Sequence, residues 1–157
     1  MLVYLAQHGL AQPKETHPER PLSDQGREDI ARCAGFLSLF VRPKPAEILH
    51  SGKLRAAQSA DMFAEAWQVD RVRESDGLGP NDNPAIWHER LLREGRDLML
   101  VGHLPHLERL IGMLLCGRAD ARPVRMRNGG VTCLEQEQGH WQLLWSIHPT
   151  MFYSQDD

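Results

Sequence analysis

Short apolar runs alternate with longer amphipathic stretches along this chain. Residues 2–6, 47–50 and 98–101 are compact apolar segments bounded by polar or turn-forming residues, the pattern of buried strands. Residues 130–135 and 141–147 flank the turn-rich 136–140 and read as an antiparallel hairpin. Helical spacing fills the gaps. A first helix is expected from an N-cap at Ser23 to Phe40, with Ile30, Ala31, Ala34, Leu37 and residues 39–41 inward. The pre-proline position Arg42, then Pro43 and Pro45, ends it. A second helix should cover 53–67, with Leu54, Ala57, Met62 and residues 64–67 inward. A third should run from Pro84 at its first helical position to Arg93, with Gly95 as its C-cap. The fourth begins at Pro105, carries Leu107, Leu110, Ile111 and Leu114 toward the sheet, and stops near Cys116 and Gly117.

Strands alternating with helices imply a mostly parallel sheet covered on both faces. The closing hairpin adds an antiparallel edge. The expected fold is therefore an α/β three-layer αβα sandwich. No repeat, low-complexity block or linker divides the chain, so residues 1–157 are expected to form one domain.

Composition narrows the function classes. A hydrophobic share of 41% and a charged share of 25% are those of an ordinary globular chain. A net charge of −3 gives no whole-protein attraction to nucleic acid or to anionic lipid. The basic stretch 118–127 has no interleaved aromatics and reads as a solvated loop. Cys33, Cys116 and Cys133 are odd in number and widely spaced, which argues against a disulfide framework or a structural zinc site. Each is expected to be a small buried side chain in a protein of the reducing cytoplasm. No segment has the length of a membrane span or the shape of an export signal.

Three of the strand candidates break off into polar residues. The first ends in Gln7-His8-Gly9 and that at 98–101 in Gly102-His103. The strand at 47–50 is followed by Ser51-Gly52-Lys53-Leu54-Arg55 and then by Gln58 and Ser59. Ligands collect at the carboxyl ends of strands in open α/β sheets. Two histidines and an arginine at three strand ends therefore form a candidate site, with Arg55 near a helix start suited to an anion. Gln58 and Ser59 read as supports for that helix start. His106 and Glu108 are expected to be exposed, as is His17. His88, His140 and His148 read as surface or packing residues.

This ordered set resembles the histidine phosphatase superfamily, the phosphoglycerate mutase-like fold, and within it the short bacterial phosphohistidine phosphatases. Shared features are His8-Gly9 after the first strand, Arg55-Ala56 with Gln58 after the second, and Gly102-His103 with Pro105 later. The Arg20-Pro21-Leu22-Ser23 segment with Gly26, and Asn81-Asp82 with Pro84, match the same branch. The resemblance implies a metal-independent, cofactor-free phosphatase acting on a phosphorylated protein or a small phosphorylated substrate. His8 would be the nucleophile and form a phosphohistidine intermediate. Arg55 would grip the phosphoryl oxygens, and His103, protonated or donating, would add a contact to the transition-state charge. Arg20 would be a supporting phosphate contact or a loop ion-pair member. Asp82 is the preferred candidate for a general acid, against a turn-forming alternative.

Two positions depart from that pattern. Gly52 replaces a proline, which loosens the turn but keeps Ser51 and Arg55 in register. Gln7 replaces an arginine of the phosphate grip, substituting neutral donors for a full charge. Two readings follow: a working phosphatase with weakened phosphate binding, or a degenerate relative that binds phosphate or a phosphorylated partner with little turnover.

Overall fold

The computed structural model describes residues 1–154. Its elements are β1 (Leu2–Gln7), α1 (Asp24–Phe40), β2 (Glu47–His50), α2 (Leu54–Trp67), β3 (Val72–Glu74), α3 (Ala85–Arg93), β4 (Leu98–Gly102), α4 (His106–Cys116), β5 (Val131–Glu137) and β6 (His140–Ile147), followed by a 3-10 turn at Pro149–Phe152. They build a sheet in the order β3-β2-β4-β1-β5-β6. Strands β3, β2, β4 and β1 are mutually parallel, while β5 runs antiparallel to β1 and β6 antiparallel to β5. After β1 the chain passes through α1 to β2, which lies beyond β4, and β4 is later inserted between them. A crevice opens where strand order reverses like this, at the carboxyl ends of β1 and β4.

Period-two alternation makes the two faces. In β1, Tyr4 and Ala6 face a core shared with α1 and α2, while Val3 and Leu5 face one shared with α3 and α4. Met99 and Val101 of β4 repeat the first pattern, Leu98 and Leu100 the second. Phe63 is fully buried on α2 and lies with its ring centroid 5.1 Å from that of Trp67, which in turn meets Tyr4. Burying each such side chain contributes roughly 1.5–3 kcal/mol. The three-layer sandwich with its antiparallel C-terminal hairpin is as expected.

Several local expectations need correction. On α1, Ala31, Leu39, Phe40 and Val41 do not point inward; Phe40 is 73% exposed. Three consecutive apolar residues point in different directions around a helix and cannot all enter one core. On α2 the buried stripe is Ala56, Ala60, Phe63, Ala64 and Trp67, and Leu54, Ala57 and Met62 are only half-buried. Its small alanines and Phe63 set the face, a register that apolar spacing among so many alanines does not resolve. Gly95 is not the C-cap of α3; Glu94 fills that position in an extended conformation. Strand β3 was not foreseen, because Val72, Arg73 and Glu74 lack apolar alternation; it forms by pairing with β2. Cys33 and Cys133 are buried, but Cys116, on the last turn of α4, is exposed. The arginines of the 118–127 loop are solvated as expected, while Val124 and Met126 between them anchor the loop into the α3–α4 core. No helix among the described residues is long and apolar enough to cross a membrane.

Candidate active site

The site is assembled at the carboxyl ends of β1, β2 and β4. The His8 N–H donates to the Gly102 carbonyl at 3.0 Å, continuing the β1–β4 ladder by one residue beyond Gln7. Asn128 Nδ2 and the Gly129 N–H both donate to the His8 carbonyl, at 3.0 and 3.2 Å. Gly9 follows where a Cβ would lie 2.7 Å from Ile30 Cδ1 and 3.0 Å from the Gly26 carbonyl, so a larger residue would require the Ile30 side chain and the α1 start to shift. Its N–H donates to Ser59 Oγ at 3.0 Å, and that hydroxyl donates to the Arg55 carbonyl at 2.6 Å. Gln58 Oε1 accepts the Leu22 N–H at 2.8 Å. The expected supporting roles of Gln58 and Ser59 are thus realised as ties between α2 and the loop after β1.

These ties place the imidazole of His8 in a defined state. Its Nδ1 lies 2.7 Å from the Gly9 carbonyl oxygen, an acceptor only, so Nδ1 carries the proton. Nε2 is left with its lone pair, and Arg55 Nε donates toward it at 3.3 Å. Burial, against the Gly9 hydrogen bond and helped by the charges of Arg55 and Arg20, lowers the His8 pKa to about 4. Arg55 stands on the first turn of α2, whose start has no side-chain cap. Its own pKa is pushed down by burial and by Arg20, from a value so high that the guanidinium stays charged.

His103 follows β4 directly, and its ring centroid is 4.8 Å from that of His8. Its Nε2 lies 2.6 Å from Ser51 Oγ, and its Nδ1 is buried without a partner. Burial first, then the nearby His8, Arg55, Lys53 and His106, lower its pKa to about 3. Burial and these neighbouring charges thus favour the neutral imidazole at His103. Ser51 was not singled out from the sequence; its register after β2 was the available signal. Asn128 and Gly129 were also missed, although an Asn-Gly-Gly turn just before a strand marks a constrained connection.

Gly52 adopts φ +86, which proline cannot reach with its φ locked near −65°. A proline would not fit this backbone, and from it Ser51 reaches His103. Gln7 lies at the end of β1, 9% exposed, with Oε1 buried and unpartnered. Arg20, in the loop before α1, donates from Nε to the Gln12 carbonyl at 3.2 Å and stands close enough to His8 and Arg55 to lower both pKa values. It forms no ion pair among the described residues.

Asp82 is not brought into hydrogen-bond contact with His8 or His103. Its Oδ2 accepts the Gly79 N–H at 2.8 Å, the turn-forming role weighed as its alternative. His106 corrects a further expectation: it is fully buried rather than exposed, and both ring nitrogens lack partners. As the first residue of α4 it is turned inward with Leu107, beneath the loop that carries Asp82, whose charge opposes the lowering of the His106 pKa by burial. Glu108 is half-buried and accepts the Met126 N–H at 3.0 Å. Among the described residues no cluster of three or more His, Cys, Asp or Glu side chains is arranged to hold a metal ion.

No protein-family model matches this sequence, and no curated protein matches it. Solved structures do match its shape. The protein histidine phosphatase SixA, solved with tungstate, superimposes with a TM-score of 0.84 at 20% identity over 98% of this chain and 100% of its own. A SixA protein of Agrobacterium tumefaciens gives 0.75 at 23% identity, over 94% of this chain and 97% of its own. The alpha-ribazole phosphatase of Shigella flexneri gives 0.73 at 18% identity, over 91% of this chain and 94% of its own. At such identities the likeness is one of architecture: this chain has the phosphoglycerate mutase-like fold of these structures.

Proposed function

We propose that this protein is a phosphatase that transfers a phosphoryl group to Nε2 of His8 and then releases it to water, with phosphohistidine as the preferred substrate. The observation that carries the reading is the His8 hydrogen bond to the Gly9 carbonyl at 2.7 Å. It fixes the tautomer, leaving the Nε2 lone pair of a buried imidazole facing a guanidinium. A nucleophile that is neutral down to about pH 4 needs no general base.

In the first step the Nε2 lone pair attacks phosphorus and the bond to the substrate's leaving atom breaks. Arg55, displaced from Nε2 by the incoming group, donates to the phosphoryl oxygens as charge develops. His103, neutral with Ser51 at its Nε2, contributes a neutral hydrogen bond that strengthens as the anion arrives, and Arg20 adds positive potential from the loop. In the second step water attacks the phosphorus of phospho-His8 and passes a proton to a phosphoryl oxygen, and inorganic phosphate leaves with the N–P bond pair returning to Nε2. The engagement of Asp82 by Gly79 favours phosphohistidine over an alcohol ester. A leaving imidazole departs readily once protonated, whereas an alkoxide depends on a placed acid.

A second reading rests on Gln7. The family's arginine is replaced there by a side chain that brings no charge and whose Oε1 is buried without a partner. Losing a preorganised donor to transition-state charge typically costs on the order of 10²–10³ in rate, enough to leave a phosphate binder with little turnover. Assay of a phosphohistidine peptide and of para-nitrophenyl phosphate with wild type, His8→Ala and Gln7→Arg separates the two. Turnover abolished by His8→Ala is expected, with Gln7→Arg raising it about tenfold or more. Turnover that survives His8→Ala overturns the nucleophile; turnover seen only with Gln7→Arg establishes the degenerate binder.

A further inference from the structure

Beside Arg55 the surface opens into a cleft of about 650 Å³ lined by Lys14, Glu19, Arg20, Lys53 and Arg55 among others. Four cations face one carboxylate in a chain whose net charge is −3. Among the described residues none of the four takes part in an ion pair. Lys14 and Lys53 project from the exposed rims, on the loop after β1 and at the N-cap of α2. Arg20 sits between them in a left-handed conformation, φ +51, although it is neither glycine nor free of the proline that follows. Such backbone strain costs of order 1–3 kcal/mol and persists where the surroundings over-determine it, most often at ligand clamps. Here the Arg20 N–H donates to the His17 carbonyl at 2.8 Å, the Gln12 N–H to the Pro21 carbonyl at 2.7 Å, and Arg20 Nε to the Gln12 carbonyl. The guanidinium is thereby fastened by one nitrogen, with its two terminal nitrogens left for another partner.

One phosphoryl group on His8 is served by Arg55 and His103 and leaves Lys14 and Lys53 unused. We infer that the Lys14–Arg20–Lys53 cleft binds a second anionic group carried by the substrate itself, so that among phosphohistidine substrates those with a further phosphate or carboxylate beside the phosphoryl group are preferred. This rests on the reading that His8 and Arg55 receive the first phosphoryl group. It also offers a physical role for a cationic cleft next to a site that has lost one cation at Gln7. Binding strength moves from the reacting phosphorus to the remote anion, where it holds the substrate in place without acting on the transferring group. The geometry suits this, because Arg55 lines the cleft and also reaches Nε2 of His8.

Calorimetric titration of the whole chain with orthophosphate, pyrophosphate and tripolyphosphate at low salt tests the inference without relying on turnover. Wild type is expected to bind tripolyphosphate at least tenfold more tightly than orthophosphate. The double variant Lys14→Gln, Lys53→Gln should lose about three- to tenfold of tripolyphosphate affinity, with orthophosphate affinity changed less than twofold. Lys44→Gln, which removes an exposed charge outside the cleft, should leave the preference intact and so separates local contact from net charge. Equal affinity for the three anions in wild type, or a preference unchanged in the double variant, overturns the second-anion cleft. Orthophosphate binding indifferent to Arg55→Ala overturns instead the site on which it rests, and binding without turnover overturns the phosphatase reading alone.

Discussion

Two clefts of similar size, one bordered by β2, β3 and α3 and the other beside Arg55, differ in what their charges face. The cleft bordered by α3, β2 and β3 measures about 710 Å³ and is lined by four arginines and four carboxylates. Within it Arg73 pairs with Glu47 at 2.6 Å, Arg90 with Asp76 at 2.9 Å and Arg96 with Glu94 at 2.9 Å. The cleft beside Arg55 is slightly smaller, yet its four cations meet a single carboxylate and form no ion pair among the described residues. Volume therefore does not distinguish the site. What does is charge held without a partner next to a bared imidazole nitrogen, because an anion entering there displaces no carboxylate. In the larger cleft the same anion competes with acids already hydrogen-bonded to the arginines.

The comparison breaks first on catalysis. Arg55→Ala should lower kcat/KM by about 10²–10³, the usual cost of removing one donor to transition-state charge. Arg90→Ala, which loses Asp76 and its stacking over Trp87 in the other cleft, should leave turnover within about twofold. Comparable losses in the two variants would place the reacting phosphoryl group elsewhere.

Acid titration should separate the clefts next. His8 and His103 fold with pKa values of about 4 and 3, against an unfolded value near 6.5, so the unfolded chain binds more protons below pH 6.5. Stability is then full above pH 6.5 and falls as pH drops toward 3, by on the order of 1 kcal/mol per pH unit for each histidine. His50 and His106, also lowered by burial, act in the same sense. Glu94, lowered to about 2 chiefly by its Arg96 hydrogen bond, adds its loss only below about pH 4.5. Urea denaturation across pH 7 to 4.5 reads the imidazoles alone, and NMR should show the His8 C2 proton unshifted until below pH 5. Titration of His8 near 6.5 would contradict the buried, neutral nucleophile.

The smallest effect belongs to the structural cleft. Glu47 is 1% exposed and receives Arg73 Nε, with Arg71 at 3.7 Å as a second cation. Arg73→Ala should destabilise by about 1–2 kcal/mol in thermal or urea unfolding, because a buried carboxylate loses its nearest donor while another cation remains. Anion affinity at Arg55 should not change.

Much of this molecule was legible as a string. The strand ends Gln7-His8, His50-Ser51 and Gly102-His103 mark themselves because apolar runs stop there. Ser23 does cap α1, donating from its hydroxyl to the Leu10 carbonyl and accepting the Gly26 N–H at 3.0 Å. The face of α2 was not legible, since alanines at many positions satisfy several helical stripes equally. His106 was misread because a polar residue at a helix start is ordinarily solvated, and only the loop around Asp82 encloses it. The register of Ser51 after β2 and the Asn-Gly-Gly turn at 128–130 mark constrained positions but not their partners, His103 and His8, which lie 52 and 120 residues away.

Local chemistry determined the alternation of strands and helices, the three strand ends that carry His8, Arg55 and His103, and the neutral side chain at Gln7. These depend on residue type and near neighbours alone. Tertiary structure decided the rest: the insertion of β4 between β1 and β2, the tautomer and low pKa of His8, and the unmatched cations of the cleft beside it. Burial, hydrogen-bond geometry and the pairing of charges depend on residues far apart in the chain, and only folding brings those together.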